Sequence, residues 1–214
     1  MAAQFVYLHG FASGPSSSKG VFLKQKLEEL GIELQVPDFN EGGFTDLTVS
    51  RQIEQVCDRL SDAPAVLIGS SLGGLTAAWV AERMPQVARV VLLAPAFGFA
   101  KRWQKSLGEV AIAEWKEQGV RQFYHYGQRQ ELPLRYGFVE DAIGYREEDL
   151  RRRVPTAILH GRQDNVVPIE VSREYAGDRD WVMLHELDSD HALGDVESKA
   201  TIWDITRSFC QLEA

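Results

Sequence analysis

The chain has 214 residues, 44% apolar and 25% charged, which suits one globular domain with a sizeable buried core. Its 31 acidic side chains outnumber 23 basic ones, a formal net charge of −8, so a nucleic-acid partner is not expected. No apolar run approaches membrane-spanning length and no basic segment precedes an apolar stretch, so neither a membrane partner nor a signal peptide is expected, and a cytoplasmic, reducing compartment is the default.

Short apolar runs alternate with longer segments of helical period. Gln4 to His9 reads as a buried strand, Ser18 to Leu30 as a helix stopped by Gly31, and Ile32 to Pro37 as a second strand. Leu47 to Leu60 is a predicted helix. Ala65 to Gly69 is a third strand, wholly apolar as a central parallel strand should be. A helix over Leu72 to Met84, closed by Pro85, leads to a fourth strand over Ala88 to Ala94. From about 96 to 153 the alternation breaks. That insertion holds a predicted helix over Lys105 to Gln118 and an aromatic arm, Phe123 to Gly127, expected to pair with Leu134 to Phe138 as a hairpin. Its position over the rim of a sheet reads as a lid, since long insertions in compact domains are often functional. Thr156 to His160 and Trp181 to Leu187 complete six strands, and the last helix runs from Val196 to Leu212. Alternation of this kind implies an α/β fold, a mostly parallel sheet with helices on both faces. Ligands on such sheets bind at the carboxyl ends of the strands. Cys57 and Cys210 lie in helical segments without metal-ligand spacing and read as free thiols, so no metal is expected.

One such strand end carries Gly69-Ser70-Ser71-Leu72-Gly73. The pattern Gly-x-Ser-x-Gly fits Ser71 alone, because Ser70 would need glycine at Ile68 and Leu72. A serine on a sharp strand-to-helix turn leaves no room for side chains two residues before and after it, which is why Gly69 and Gly73 matter. Such a serine attacks a carbonyl only when a base takes its proton. His191, in Asp188-Ser189-Asp190-His191, stands on the loop after the last strand, where that base must be. Asp164, on the loop after the fifth strand, is favoured as the acid that orients it. Asp188 and Asp190 are rivals, although residues so close to the histidine rarely have room to reach its far nitrogen. The first strand ends in His9-Gly10-Phe11, the place of an oxyanion loop. The donors would be the N–H groups of Phe11 and Leu72, with Gly10 allowing close approach and His9 bracing the loop. No glycine-rich nucleotide loop occurs, so no cofactor is expected.

With these residues in view, the chain resembles the small bacterial esterases of the YqiA/YcfP group within the α/β-hydrolase superfamily. The opening YLHGFASGPSSSK, the elbow IGSSLGG, and the segments HGRQDNVVP and DSDHAL carry the likeness. The insertion carries the weakest match. The resemblance implies a reduced α/β-hydrolase fold without the two leading strands of larger relatives. It also implies hydrolysis of small-molecule acyl esters, thioesters included, with Ser71, Asp164 and His191 in the three roles. The same scaffold hosts acyltransferases, lyases and C–C hydrolases, and catalytically idle ligand-binding proteins, and these stay open at this stage.

Overall fold

The computed structural model describes residues 3–213. Six parallel strands form one sheet: β1 (Gln4–Leu8), β2 (Leu34–Gln35), β3 (Ala65–Ser70), β4 (Val87–Leu93), β7 (Thr156–Gly161) and β8 (Val182–Leu187), in the order β2-β1-β3-β4-β7-β8. Side chains alternate across this sheet with period two. Phe5, Tyr7, Val66, Ile68, Val91, Leu93 and Leu159 bury one face against α1 (Ser18–Glu28) and α8 (Val196–Cys210). Val6, Leu8, Leu67, Val90, Leu92 and Ile158 bury the other against α2 (Val49–Cys57) and α3 (Leu72–Arg83). The central β3 is buried at every residue, which explains its unbroken apolar run. Because all six strands point the same way, the loops after β1, β3, β4, β7 and β8 open on one rim.

Local signals set the helix ends. The Thr48 hydroxyl accepts from Arg51 N–H at the start of α2, and the Asp195 carboxylate accepts from Ser198 N–H at the start of α8. β2 is shorter than its apolar pattern predicts, pairing with β1 only at Leu34 and Gln35. It is an edge strand running into Pro37, which has no N–H to give to a ladder.

The insertion between β4 and β7 differs from expectation in two places. The predicted single helix is two, α4 (Phe99–Leu107) and α5 (Glu109–Gln118), because Gly108 between them takes φ +83°. The hairpin forms, but its arms are β5 (Val120–His125) and β6 (Gln130–Arg135), with Phe123 opposite Leu132. The turn falls at Tyr126–Arg129, where Arg129 N–H donates to the His125 carbonyl at 2.7 Å. Phe138, expected in the second arm, is instead fully buried in α6 (Gly137–Ala142). Trp115 of α5 fastens the hairpin by donating its indole N–H to the Leu134 carbonyl at 2.9 Å. α7 (Glu170–Gly177) follows β7 and has no counterpart among the predicted elements. Cys57 and Cys210 are free and half-buried; burial pushes the Cys210 thiol up to about 12.

Candidate active site

The turn between β3 and α3 is built by two glycines. A Cβ on Gly69 would stand 2.7 Å from Gly74 Cα, and one on Gly73 would stand 2.6 Å from the His9 carbonyl oxygen. Both contacts are with backbone and cannot be relieved by a side-chain movement. Between them Ser71 takes φ +54°, ψ −118°, a conformation that costs a residue with a side chain about 1–3 kcal/mol. The surrounding chain holds it there. Ser71 N–H donates to the Leu93 carbonyl at 2.9 Å, and its own carbonyl accepts from Gly74 N–H at 2.8 Å and Ala96 N–H at 3.0 Å.

Ser71 Oγ lies 3.0 Å from His191 Nε2, and His191 Nδ1 lies 2.7 Å from Asp164 Oδ2. Three loops thus meet on the rim, and Ser71, His191 and Asp164 form one continuous hydrogen-bonded relay. The rivals for the acid position are engaged elsewhere. Asp188 accepts from the Gln163 side-chain amide at 2.6 Å, and Asp190 accepts from Ala192 N–H at 2.9 Å.

Asp164 is fully buried at its side chain. Burial alone would disfavour its charge. The bonds donated by His160, His191 and Val167 N–H outweigh that cost and hold the carboxyl well below the usual carboxylate range. Val166 and Val167 N–H reach Oδ1 at 2.9 and 2.7 Å. His160 Nε2 shares its proton between Asp164 Oδ2 at 3.1 Å and the Val167 carbonyl at 2.9 Å, while His160 Nδ1 accepts from the Ser172 hydroxyl at 2.7 Å. This second imidazole is absent from the sequence-derived site. Its position at the end of β7, four residues before Asp164, is the signal that could have found it.

The loop after β1 lies against Ser71: a Cβ on Gly10 would stand 3.4 Å from Ser71 Cβ. His9, buried at its root, accepts from Phe39 N–H at Nε2 (3.1 Å) and so donates from Nδ1 to the Gly10 carbonyl at 3.0 Å. Burial depresses its basicity. Among the described residues, neither Phe11 N–H nor Leu72 N–H donates to another backbone group. The Phe11 ring sits among Phe44, Trp103, Phe123 and Phe138, with centroids 5.3–5.8 Å apart, so the insertion packs directly on the residue beside Gly10. Gly127 N–H in the hairpin turn donates to the Ala12 carbonyl, and Asn40 bridges His125 to the Ser13 carbonyl at 2.9 Å each. Among the described residues no group of His, Cys, Asp or Glu could hold a metal ion, and no helix is long and apolar enough to cross a membrane.

The family described as "Uncharacterised protein family (UPF0227)" matches residues 4–208. The curated palmitoyl-protein thioesterase ABHD10, mitochondrial, of Homo sapiens is 22% identical over 208 residues, covering 88% of this chain and 66% of that protein. This chain therefore spans 66% of the length of that relative. The solved structure of α/β hydrolase domain-containing protein 10 from mouse superposes with a TM-score of 0.82 at 21% identity, over 100% of this chain and 92% of that one. A structure from Agrobacterium vitis S4 gives a TM-score of 0.86 at 24% identity, over 99% of this chain and 88% of that one. These likenesses establish the α/β-hydrolase fold.

Proposed function

The chain belongs to the UPF0227 family, and from that premise we propose that it is a serine hydrolase of acyl esters and thioesters. The single observation that carries this reading is the unbroken relay from Ser71 Oγ through His191 to Asp164, at 3.0 and 2.7 Å, with Ser71 on a strained strand-to-helix turn. The name of the relative ABHD10, a palmitoyl-protein thioesterase, supports the inclusion of thioesters.

The geometry supports a two-step acyl transfer. Ser71 Oγ attacks the carbonyl carbon while His191 Nε2 takes its proton. Asp164, kept ionised by its donors, stabilises the imidazolium and fixes which ring nitrogen carries the remaining proton. The free N–H groups of Phe11 and Leu72 are the donors for the oxyanion, the latter at the positive end of α3. His191 then returns the proton to the departing alkoxide or thiolate, leaving an acyl-Ser71. Water, deprotonated by His191, attacks that acyl group; the acyl–Oγ bond breaks, His191 returns the proton to Ser71 Oγ, and the acid is released. The insertion over 96–153 acts as the lid, with Trp103, Phe123 and Phe138 walling the acyl side.

A fluorophosphonate probe and a p-nitrophenyl ester test the reading together. Ser71→Ala is expected to abolish labelling and to lower kcat by roughly a million-fold, the scale seen when a serine nucleophile is removed. A variant that keeps the full rate would overturn the assignment. Equal release of acid and alcohol separates hydrolysis from acyl transfer to a second acceptor.

A further inference from the structure

The opening segment Ser16–Gly20 takes no part in the relay, yet it brings a cation against the loop that carries the base. Lys19 Nζ donates a hydrogen bond to the carbonyl oxygen of Ala192, the residue after His191. The partners are 173 positions apart, so the bond ties the first turn of α1 to the far end of the chain. Residue 20 explains how α1 comes so near. A Cβ on Gly20 would stand 2.9 Å from the Tyr7 ring of β1, and its absence lets α1 settle onto the sheet beside α8.

The loop needs holding. Leu193 is a non-glycine residue at φ +47°, fully buried, within two residues of the base. Its other ties lie within the loop or run to the neighbouring loop after β7: Ala192 N–H donates to Asp190 at 2.9 Å, the Ser189 hydroxyl donates to Asp195 at 2.8 Å, and Gln163 donates to the Ser189 carbonyl at 3.0 Å and to Asp188 at 2.6 Å. Lys19 connects it to a different layer. A lysine is a costly way to fill half-buried space, because its charge must be desolvated and its long side chain ordered. Leucine or methionine would serve there if packing were the only demand.

We propose that Lys19 is a positioning residue: its ammonium clamps the Ala192 carbonyl and so holds His191 within reach of both Ser71 and Asp164. The proposal rests on the serine-hydrolase reading above. The leverage is geometric, since a misplacement of about 1 Å in a catalytic group can cost about 100-fold in rate. The clamp is also sensitive to alkali. Burial pushes the Lys19 ammonium down to about 8, repulsion from Lys199 adds to this, and attraction to Asp190 and Asp164 opposes it. Below that value the bond is charge-assisted; above it a neutral amine remains, a donor roughly half as strong.

The test compares the full-length wild-type chain with Lys19→Met, Lys19→Arg and Gly20→Ala. Each is assayed on a p-nitrophenyl ester, for fluorophosphonate labelling of Ser71, and for thermal unfolding. Lys19→Met is expected to lower kcat about 10–100-fold with KM unchanged, and to slow labelling in proportion. Lys19→Arg should restore most of kcat and abolish the alkaline fall near pH 8, because guanidinium does not titrate there. Gly20→Ala, which lifts α1 off Tyr7, should follow Lys19→Met. Wild-type kcat in Lys19→Met overturns the proposal, and so does an unchanged alkaline limb in Lys19→Arg. Equal losses in the Met and Arg variants that track a lowered unfolding temperature also overturn it, leaving Lys19 a packing residue. If the wild type neither labels nor turns over ester, the hydrolase reading itself fails and the clamp falls with it.

Discussion

His160 Nε2 stands 3.1 Å from Asp164 Oδ2, the same carboxylate oxygen that His191 uses at 2.7 Å. Asp164 is thus shared by two imidazoles of different standing: one half-open to the rim, one sealed inside the protein. The sealed ring is oriented by the Ser172 hydroxyl at its other nitrogen, so its N–H always faces Asp164 and the Val167 carbonyl. Replacing His160 by phenylalanine keeps the ring volume and removes both nitrogens. Ser172 and the Val167 carbonyl then lose a buried partner, and Asp164 loses one of its four donors. We expect a stability loss of about 1–3 kcal/mol, read from the urea midpoint. We also expect kcat/KM to fall about 10-fold or more, because Asp164 loses a partner that fixes the carboxylate orienting His191. A variant as stable and as active as the wild type would show that His160 is mere filling.

Asp164 also sets a pH dependence of stability. Its folded-state carboxyl is held below the usual range by the donors that outweigh its burial. The unfolded chain therefore binds this proton more readily than the native protein. The contribution to stability is complete above the ordinary carboxylate range, and it is lost as pH falls through that range toward the depressed native value. Asp164→Asn has no such proton to bind. The difference in Tm between wild type and Asp164→Asn should be constant down to about pH 5 and should shrink below it. Calorimetry across that range checks the sign; a gap that widens in acid would mean that burial, not hydrogen bonding, decides the charge of Asp164.

What could be read from the sequence was what local sterics or period two decides. Gly69 and Gly73 are forced by backbone contacts at 2.6–2.7 Å, and their spacing singles out Ser71 over Ser70, with the apolar strand before it and the helix after it giving the pattern its weight. The buried strands announce themselves because both faces of β1, β3 and β4 are covered. The insertion was less legible because its order comes from distant partners. Phe138 reads as a strand residue until α6 places it under Phe11 and Trp103, and the polar stretch after Gly127 reads as loop although Gln130–Arg135 pairs along β5. Pro133 sits within that arm without breaking it, because an isolated two-stranded ribbon has an edge that needs no N–H. Lys19 escaped notice because its partner, the Ala192 carbonyl 173 positions away, comes near α1 only through the sheet order, whereas His160 was passed over although its partner Asp164 stands only four residues on.

The lid reading of the insertion turns on Trp103. Its ring meets Phe11 at 5.3 Å, Phe123 at 5.1 Å and Phe138 at 5.5 Å, so one side chain of α4 joins the hairpin and α6 to the residue whose N–H is the proposed oxyanion donor. Trp103→Ala should cost roughly 2–3 kcal/mol, below the range for a fully buried tryptophan because the ring is only half-buried. Its effect on catalysis separates two roles. If the aromatic cluster is the acyl wall, the shortest ester has little to lose, whereas longer chains lose apolar contact worth about 0.8 kcal/mol per methylene. KM measured from p-nitrophenyl acetate to decanoate should then rise with chain length in the variant relative to the wild type. A uniform fall in kcat over the whole series would instead place Trp103 behind Phe11 as a support of the oxyanion loop, with the acyl chain bound elsewhere on the rim.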